Sequence, residues 1–245
     1  LFRSYLYDTL EEAVEAAKEF AETRINRFLD SCPAVAALAP PSRHAKRTQA
    51  VHFPHMSFLA QAANQGNAQS KHIRHLIMDE PWLYKPGMMS QLRKRTNRYS
   101  HNRTILAMST GSLDGDEFAQ AWQRGSRQSW QLFCPACERH HVPEWTFGEG
   151  RPGGVNWSKD AKRADGTWDM KLVKETTVYQ CPLCCAEYPT TAANAFALNS
   201  RGRYSDPHPD AMPNHFSYHW DSMCSDFAQL GDIAVEYLEA KAAVK

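Results

Sequence analysis

The sequence predicts an α/β fold, with an open parallel sheet followed by a smaller cysteine-containing module. Three observations predict it. His75-Leu76-Ile77-Met78-Asp79-Glu80 is a short apolar run ending in two carboxylates, as a buried parallel strand does when it delivers acids to the edge of a sheet. Thr104 to Ser112 repeats the pattern, an apolar run ending in Ser109 and Thr110. Cys134-Pro135-Ala136-Cys137 and Cys181-Pro182-Leu183-Cys184 are two copies of one C-P-x-C turn. Each puts two thiolates on one side of a tight loop, and two such turns supply four ligands for tetrahedral Zn²⁺.

The composition limits the class. A chain of 245 residues has room for one large or two small domains. Its apolar and charged fractions, 42% and 22%, are those of a folded chain, not a disordered one. Net charge is +1, so any nucleic-acid contact has to come from local basic patches. No apolar run approaches the roughly 18–20 residues of a membrane span, and no basic region followed by an apolar core marks a signal peptide. Seven cysteines, four of them in paired turns, predict metal binding in a reducing compartment and not a disulfide framework. The first residue, Leu1, predicts a piece of a longer chain or a processed product.

In order, Tyr5-Leu6-Tyr7 is a strand candidate, and Asp8 or Thr9 can cap the helix after it. Leu10, Val14, Ala17, Phe20 and Ala21 have helical spacing, Glu11 and Glu12 suit the positive helix start, and the pattern carries on to Leu29. Cys32-Pro33 and Pro40-Pro41 mark a break, and residues 42–47 read as a basic loop. Residues 50–53 and 56–59 are short strand candidates, and residues 64–67 form a turn. The strand at residues 73–78 then brings Asp79 and Glu80. Residues 88–99 read as a helix with a basic face, Arg93, Lys94, Arg95 and Arg98, and residues 118–122 as another helix. Ligands of a parallel sheet bind outside the carboxyl ends of its strands, so the Ser109 and Thr110 hydroxyls are expected near Asp79 and Glu80. The plainer alternatives are a core strand leaving into a solvated turn, and hydroxyls that cap the next turn.

From Trp130 onward the chain is rich in Gly, Trp and Pro. Cys134, Cys137, Cys181 and Cys184 are the expected zinc ligands, with residues 147–167 as a turn-rich insertion between them. Cys185 falls outside the repeated spacing, and His140 and His141 are spare candidates. Four thiolates leave no open position for water, so the zinc is expected to be structural. Residues 215–220 alternate like a strand, and residues 227–243 form an amphipathic helix with Leu230, Ile233, Ala234, Tyr237, Leu238 and Ala242 on its apolar side.

The order of these features (strand and helix at Tyr5–Phe20, acid pair, Met108-Ser109-Thr110, two cysteine turns, then Asn214 to Trp220) resembles the large terminase subunit of tailed bacteriophages, in its lambda-type, gpA-like branch. The resemblance covers nearly the whole chain. It implies a partial P-loop (ASCE-type) parallel-sheet ATPase core with a zinc-ribbon-like insertion. Residues 1–128 would be the C-terminal part of the ATPase core and 129–200 the zinc-binding module. Residues 201–245 would return to the core or lead toward a nuclease domain. Asp79 would hold Mg²⁺ on ATP, Glu80 would be the catalytic carboxylate, and Ser109 and Thr110 would join Asp79 at the nucleotide and couple hydrolysis to DNA movement. The implied partners are double-stranded DNA, a small terminase subunit, a portal protein and further copies in a ring. The implied place is the cytoplasm of the bacterial host, and the implied task is packaging and cutting of concatemeric viral DNA.

The sequence departs from that pattern in places. It contains no G-x-x-x-x-G-K-[ST], Pro81 follows the acid pair, and Gly111 follows Ser109-Thr110. The chain is therefore expected to lack the phosphate-binding loop and the nuclease carboxylates, and by itself neither to hydrolyse ATP well nor to cut DNA. Two other readings share these residues. One is a helicase-like P-loop ATPase with a zinc module. The other is a non-enzymatic zinc-ribbon DNA-binding or scaffold protein in which Asp79 and Glu80 only end a strand.

Overall fold

The computed structural model describes residues 2–3, 10–38, 42, 46–69, 71–111, 113–146, 151–225 and 229–243. The chain divides into two units, Leu1–Ala121 and Trp122–Lys245.

In the first unit, β1 (Phe2–Arg3) precedes α1 (Leu10–Phe20). The expected strand Tyr5–Tyr7 and its cap, Asp8 or Thr9, lie outside the described residues. The helix expected to reach Leu29 continues through a π-helical stretch, Ala21–Asn26, into α2 (Arg27–Ser31), with Ala17 and Ala21 buried. Pro33 opens α3 (Pro33–Ala36) at its first position, where a missing N–H loses no helical bond. β2 (Lys46–Arg47), β3 (Ala50–His52) and β4 (Ser57–Leu59) form an antiparallel sheet, so the expected basic loop ends in a strand. After β5 (Gln61–Ala62) the expected turn is one helical turn, α4 (Gln65–Ala68), capped where the Asn67 N–H donates to Asn64 Oδ1 at 2.8 Å.

The acid-bearing strand is β6 (His75–Asp79), followed by α5 (Met88–Lys94) and β7 (Thr104–Met108). The sheet order is β5-β1-β6-β7, and every pairing in it is parallel. This is the small parallel sheet of a mixed α/β fold. Leu76, Met78, Met88, Met89 and Leu92 are buried together, with Ile105, Ala107 and Phe118 packed against them.

The helix expected over residues 88–99 stops at Lys94 and resumes only as a 3-10 turn, Asn97–Tyr99. Thr96 is fully buried and its hydroxyl bonds the Arg93 carbonyl at 2.7 Å, a local competitor of the helical ladder. The second strand was expected to be buried through residue 112. It ends at Met108, and Leu106 and Met108 are 46% and 42% exposed, because β7 is the edge of the sheet among the described residues. Ser112 lies outside them. α6 (Glu117–Arg124) then crosses the boundary between the units. At its start Glu117 accepts the N–H groups of Gly87 (3.0 Å) and Ser90 (3.3 Å), which satisfies donors at the beginning of α5.

The second unit is built on β8 (Gln128–Cys134), which pairs antiparallel with β9 (Arg139–His141). Next come β10 (Gly154–Asn156), α7 (Met170–Thr176), β11 (Val178–Gln180), β12 (Glu187–Pro189) and α8 (Ala192–Asn199). β10, β11 and β12 make an antiparallel sheet. β13 (Arg203–Tyr204) and β14 (Tyr218–His219) flank β8, and α9 (Leu230–Ala243) closes the unit.

Residues 147–150 and 226–228 lie outside the description. The rest of the expected turn-rich insertion holds β10 and a 3-10 turn, Lys159–Ala161. The strand expected over residues 215–220 shrinks to Tyr218–His219. Ser217 instead trades hydrogen bonds with Ser126, and its hydroxyl takes the Arg127 N–H at 2.8 Å. A Cβ at Gly125 would stand 2.4 Å from that hydroxyl. On α9, Ala234 and Leu238 are buried with Val173 and Ala161, and Gly231 lets the helix approach α7, since a Cβ there would lie 2.6 Å from the Lys174 carbonyl.

Candidate functional site

At the carboxyl end of the parallel sheet, β6 and β7 stay in register to their last residues, with Asp79 opposite Met108. One more ladder bond follows, from the Glu80 N–H to the Met108 carbonyl at 2.8 Å. The chain then reverses. Glu80 has φ 48° and ψ 52°, a left-handed conformation that costs a non-glycine residue about 1–2 kcal/mol, and Pro81 fixes the next φ.

This turn lays the Glu80 carboxylate across the neighbouring strand end. Its Oε2 accepts from the Ser109 hydroxyl (3.1 Å), the Thr110 N–H (3.2 Å) and the Thr110 hydroxyl (3.3 Å). The Trp82 indole N–H donates to the same oxygen at 2.9 Å. Glu80, Ser109 and Thr110, singled out in the sequence, therefore meet. Asp79 ends β6 half-buried beside Tyr84. Burial pushes the Tyr84 hydroxyl above the usual tyrosine range and the charge of Asp79 adds to this, while a hydrogen bond with the Asp79 backbone opposes them. The donors gathered here are carboxylate and hydroxyl oxygens, the hard set that suits Mg²⁺ better than a thiophilic metal. Trp82 and Tyr84 are not among the residues that the sequence pattern singles out.

The second constellation lies in the other unit. The β8–β9 and β11–β12 hairpins each carry one C-P-x-C turn. The Sγ atoms of Cys134, Cys137, Cys181 and Cys184 all lie within 4.8 Å of one another. The Cys134–Cys184 separation is 3.6 Å and the Cys137–Cys181 separation 4.0 Å. Sulfurs bound at about 2.3 Å to one tetrahedral ion would stand about 3.8 Å apart, so the four thiols fit Zn²⁺.

The two turns match in detail. The Glu138 N–H returns to the Cys134 carbonyl at 2.8 Å, and the Cys185 N–H to the Cys181 carbonyl at 3.0 Å. Glu138 and Cys185 take φ values of 56° and 61°. Cys185 is thus the left-handed residue that closes its turn, and its exposed thiol lies outside the cluster.

Burial raises the Cys134 thiol, yet hydrogen bonds from Tyr188 and from Cys137 and Cys181 outweigh it and bring the thiol below its usual range. Burial raises Cys181. The Tyr188 hydroxyl lies 3.1 Å from Cys134 Sγ and accepts the Ala136 N–H. Nothing in the spacing of the cysteines pointed to it.

The spare histidines are engaged elsewhere. His140 Nε2 lies 2.9 Å from the Arg201 carbonyl. His141 stacks on Tyr179 with Nε2 2.9 Å from its hydroxyl, and its buried Nδ1 has no partner among the described residues. Burial, with the nearby charge of His140, lowers His141 from 6.5 to about 4. The unfolded chain therefore binds the proton more readily between those values. The stability contributed by neutral His141 is complete above about pH 6.5 and is lost as pH falls toward 4. The loss at about pH 5 should be on the order of 2 kcal/mol. Urea unfolding at neutral pH and at about pH 5 should show this difference shrinking in His141→Gln. An equal pH dependence in both proteins would refute it.

Among the described residues no helix is long and apolar enough to cross a membrane. A family model described as phage terminase large subunit gpA, ATPase domain, matches residues 9–201. No curated protein and no solved structure matches the chain. The matched span includes the acid pair, the Ser109-Thr110 strand end and both cysteine turns, on a mixed α/β fold with a small parallel sheet. The chain therefore belongs to the phage terminase large subunits of the gpA type, within their ATPase domain.

Proposed function

We propose that this chain carries one side of the ATP-hydrolysing site of a DNA-packaging motor. The observation that carries the reading is the Glu80 carboxylate held on Ser109 and Thr110 across two parallel strand ends. Asp79 would hold Mg²⁺, which when bound neutralises phosphate charge as the γ-phosphoryl group leaves. Glu80 would take a proton from the attacking water. Ser109 and Thr110 would sense the state of that carboxylate and pass it on to β7. The edge of β7, unpaired among the described residues, would lie toward the phosphate-binding loop. Cys134, Cys137, Cys181 and Cys184 would hold a structural Zn²⁺ in a ribbon-like module.

In this reading residues 1–128 belong to the ATPase core and 129–200 to the zinc module, while 201–245 return to the core or lead toward a nuclease domain. Double-stranded DNA, a small terminase subunit, a portal protein and a ring of copies in the bacterial cytoplasm would be its partners and setting, as expected of the family, and cutting of concatemeric DNA would be a further task of the whole protein.

The test uses a terminase that joins this chain to a phosphate-binding loop. Asp79→Asn is expected to lower Mg²⁺-dependent ATP hydrolysis at least about 100-fold while circular dichroism stays unchanged. Full hydrolysis in the folded variant would reject the assignment and leave Asp79 as a residue that only ends a strand.

A further inference from the structure

The turn after the acid pair does more than leave the sheet. Glu80 has three side-chain torsions to fix before its carboxylate can act. Ser109 and Thr110 reach it from the neighbouring strand, and Trp82 reaches it from its own turn, two residues on. All four hydrogen bonds fall on Oε2. Among the described residues Oε1 receives no donor.

The arrangement around Trp82 has local causes. The left-handed Glu80 and the 3-10 turn Pro81–Leu83 fold the indole back over the residue that begins the turn. Pro81 is buried, Tyr84 is 8% exposed, and both anchor the turn while Trp82 remains 39% exposed. At the far end, Glu117 ties Gly87. An exposed indole N–H has water to bond. Its bond to an ionised oxygen is charge-assisted and stronger than the neutral kind, so it is a contact with a directional consequence.

We propose that Trp82 is a positioning residue for hydrolysis: with Ser109 and Thr110 it holds Oε2 of Glu80, so that Oε1 is the atom presented to water. This rests on the reading of Glu80 as general base. In the step, the water oxygen forms its bond to the γ-phosphorus and the water proton passes to Oε1. The bond from that phosphorus to the bridging oxygen breaks, ADP leaves with the electron pair, and Glu80 later returns its proton to solvent. Oε2 keeps its donors throughout, so the carboxylate need not reorient between turnovers.

The test replaces Trp82 with benzothienylalanine, which keeps the shape of the side chain and puts sulfur in place of the N–H. Glu80→Gln is assayed beside it, in a terminase that joins this chain to a phosphate-binding loop. A fall in kcat of about tenfold at unchanged KM for ATP, with Glu80→Gln lower still, is the expected result. If kcat stays within about twofold of the parent while Glu80→Gln is inactive, Trp82 does not position the base, although the base assignment stands. A rise in KM at unchanged kcat would place the indole at nucleotide binding and overturn the proposal as stated. If Glu80→Gln hydrolyses ATP at the parent rate, the general-base reading fails and the proposal goes with it.

Discussion

Cys181→Ser is expected to abolish zinc binding and to unfold the sheet β10-β11-β12. Cys181 is fully buried just after β11, and its Sγ lies 4.0 Å from that of Cys137. Serine keeps the size of the side chain but is a poor ligand for zinc, so the variant tests the metal and not the packing. Structural zinc contributes about 10–16 kcal/mol of apparent binding energy in small zinc domains, as much as the whole stability of a typical domain. Without a metal, the β11–β12 turn keeps backbone bonds from the Cys181 N–H to the Ala186 carbonyl (2.9 Å) and from the Cys185 N–H to the Cys181 carbonyl (3.0 Å), each contributing only about 0.5–1.5 kcal/mol net. Tyr179 is the only residue of the three-residue strand β11 that is fully buried. Metal analysis should give about one zinc per parent chain and far less for the variant, together with earlier proteolysis of the second unit. Cys185→Ser should keep the metal, because its thiol stands outside the cluster. A Cys181→Ser protein with a full complement of zinc and an unchanged melting temperature would sink the assignment.

The second large effect is that of Glu80→Gln on hydrolysis. The amide oxygen can still accept from Trp82, Ser109 and Thr110, so the turn should keep its shape. It cannot take a proton from water. General-base catalysis contributes about 10²–10⁴-fold, and a loss in that range is expected in kcat. Affinity for a non-hydrolysable ATP analogue should change by no more than about threefold, since a base that acts only on water adds little to ground-state binding. Equal losses of affinity and rate would instead make Glu80 part of the nucleotide cradle. Because the left-handed turn at Glu80 carries strain, Glu80→Gly is expected to relax the backbone while removing activity altogether, which separates the conformational demand from the chemical one.

Some parts of this molecule were readable in the sequence because their signals are short-range. Two C-P-x-C turns announce paired cysteines whatever surrounds them, since proline and the two-residue gap set the local geometry. The long first helix declared itself through five apolar positions at helical spacing. The short helices α7 and α8 did not. Each has two turns or so, caps from Asp169 and Thr191 and few buried residues, too little for a periodic pattern to stand out. The strand expected over residues 215–220 is cut to Tyr218–His219 for a related reason. Alternation in sequence cannot reveal that Ser217 spends its hydroxyl and backbone on Ser126 and Arg127. Likewise, the apolar run of β7 has the composition of a buried strand, and only the sheet order makes it an edge among the described residues.

By itself, the sequence determined that this chain has an acid pair at a strand end, hydroxyls at another, and four paired cysteines. These are properties of residues close together along the chain. The tertiary structure decided which of them meet. The parallel register of β6 and β7 sets Ser109 and Thr110 beside Glu80 across 29 and 30 positions of sequence. The left-handed turn brings Trp82 to the same carboxylate oxygen. Two hairpins more than 40 residues apart bring their sulfurs within 4.8 Å. Such meetings depend on strand pairing and chain reversal, which are set by non-local packing and by a few backbone torsions that residue spacing does not encode.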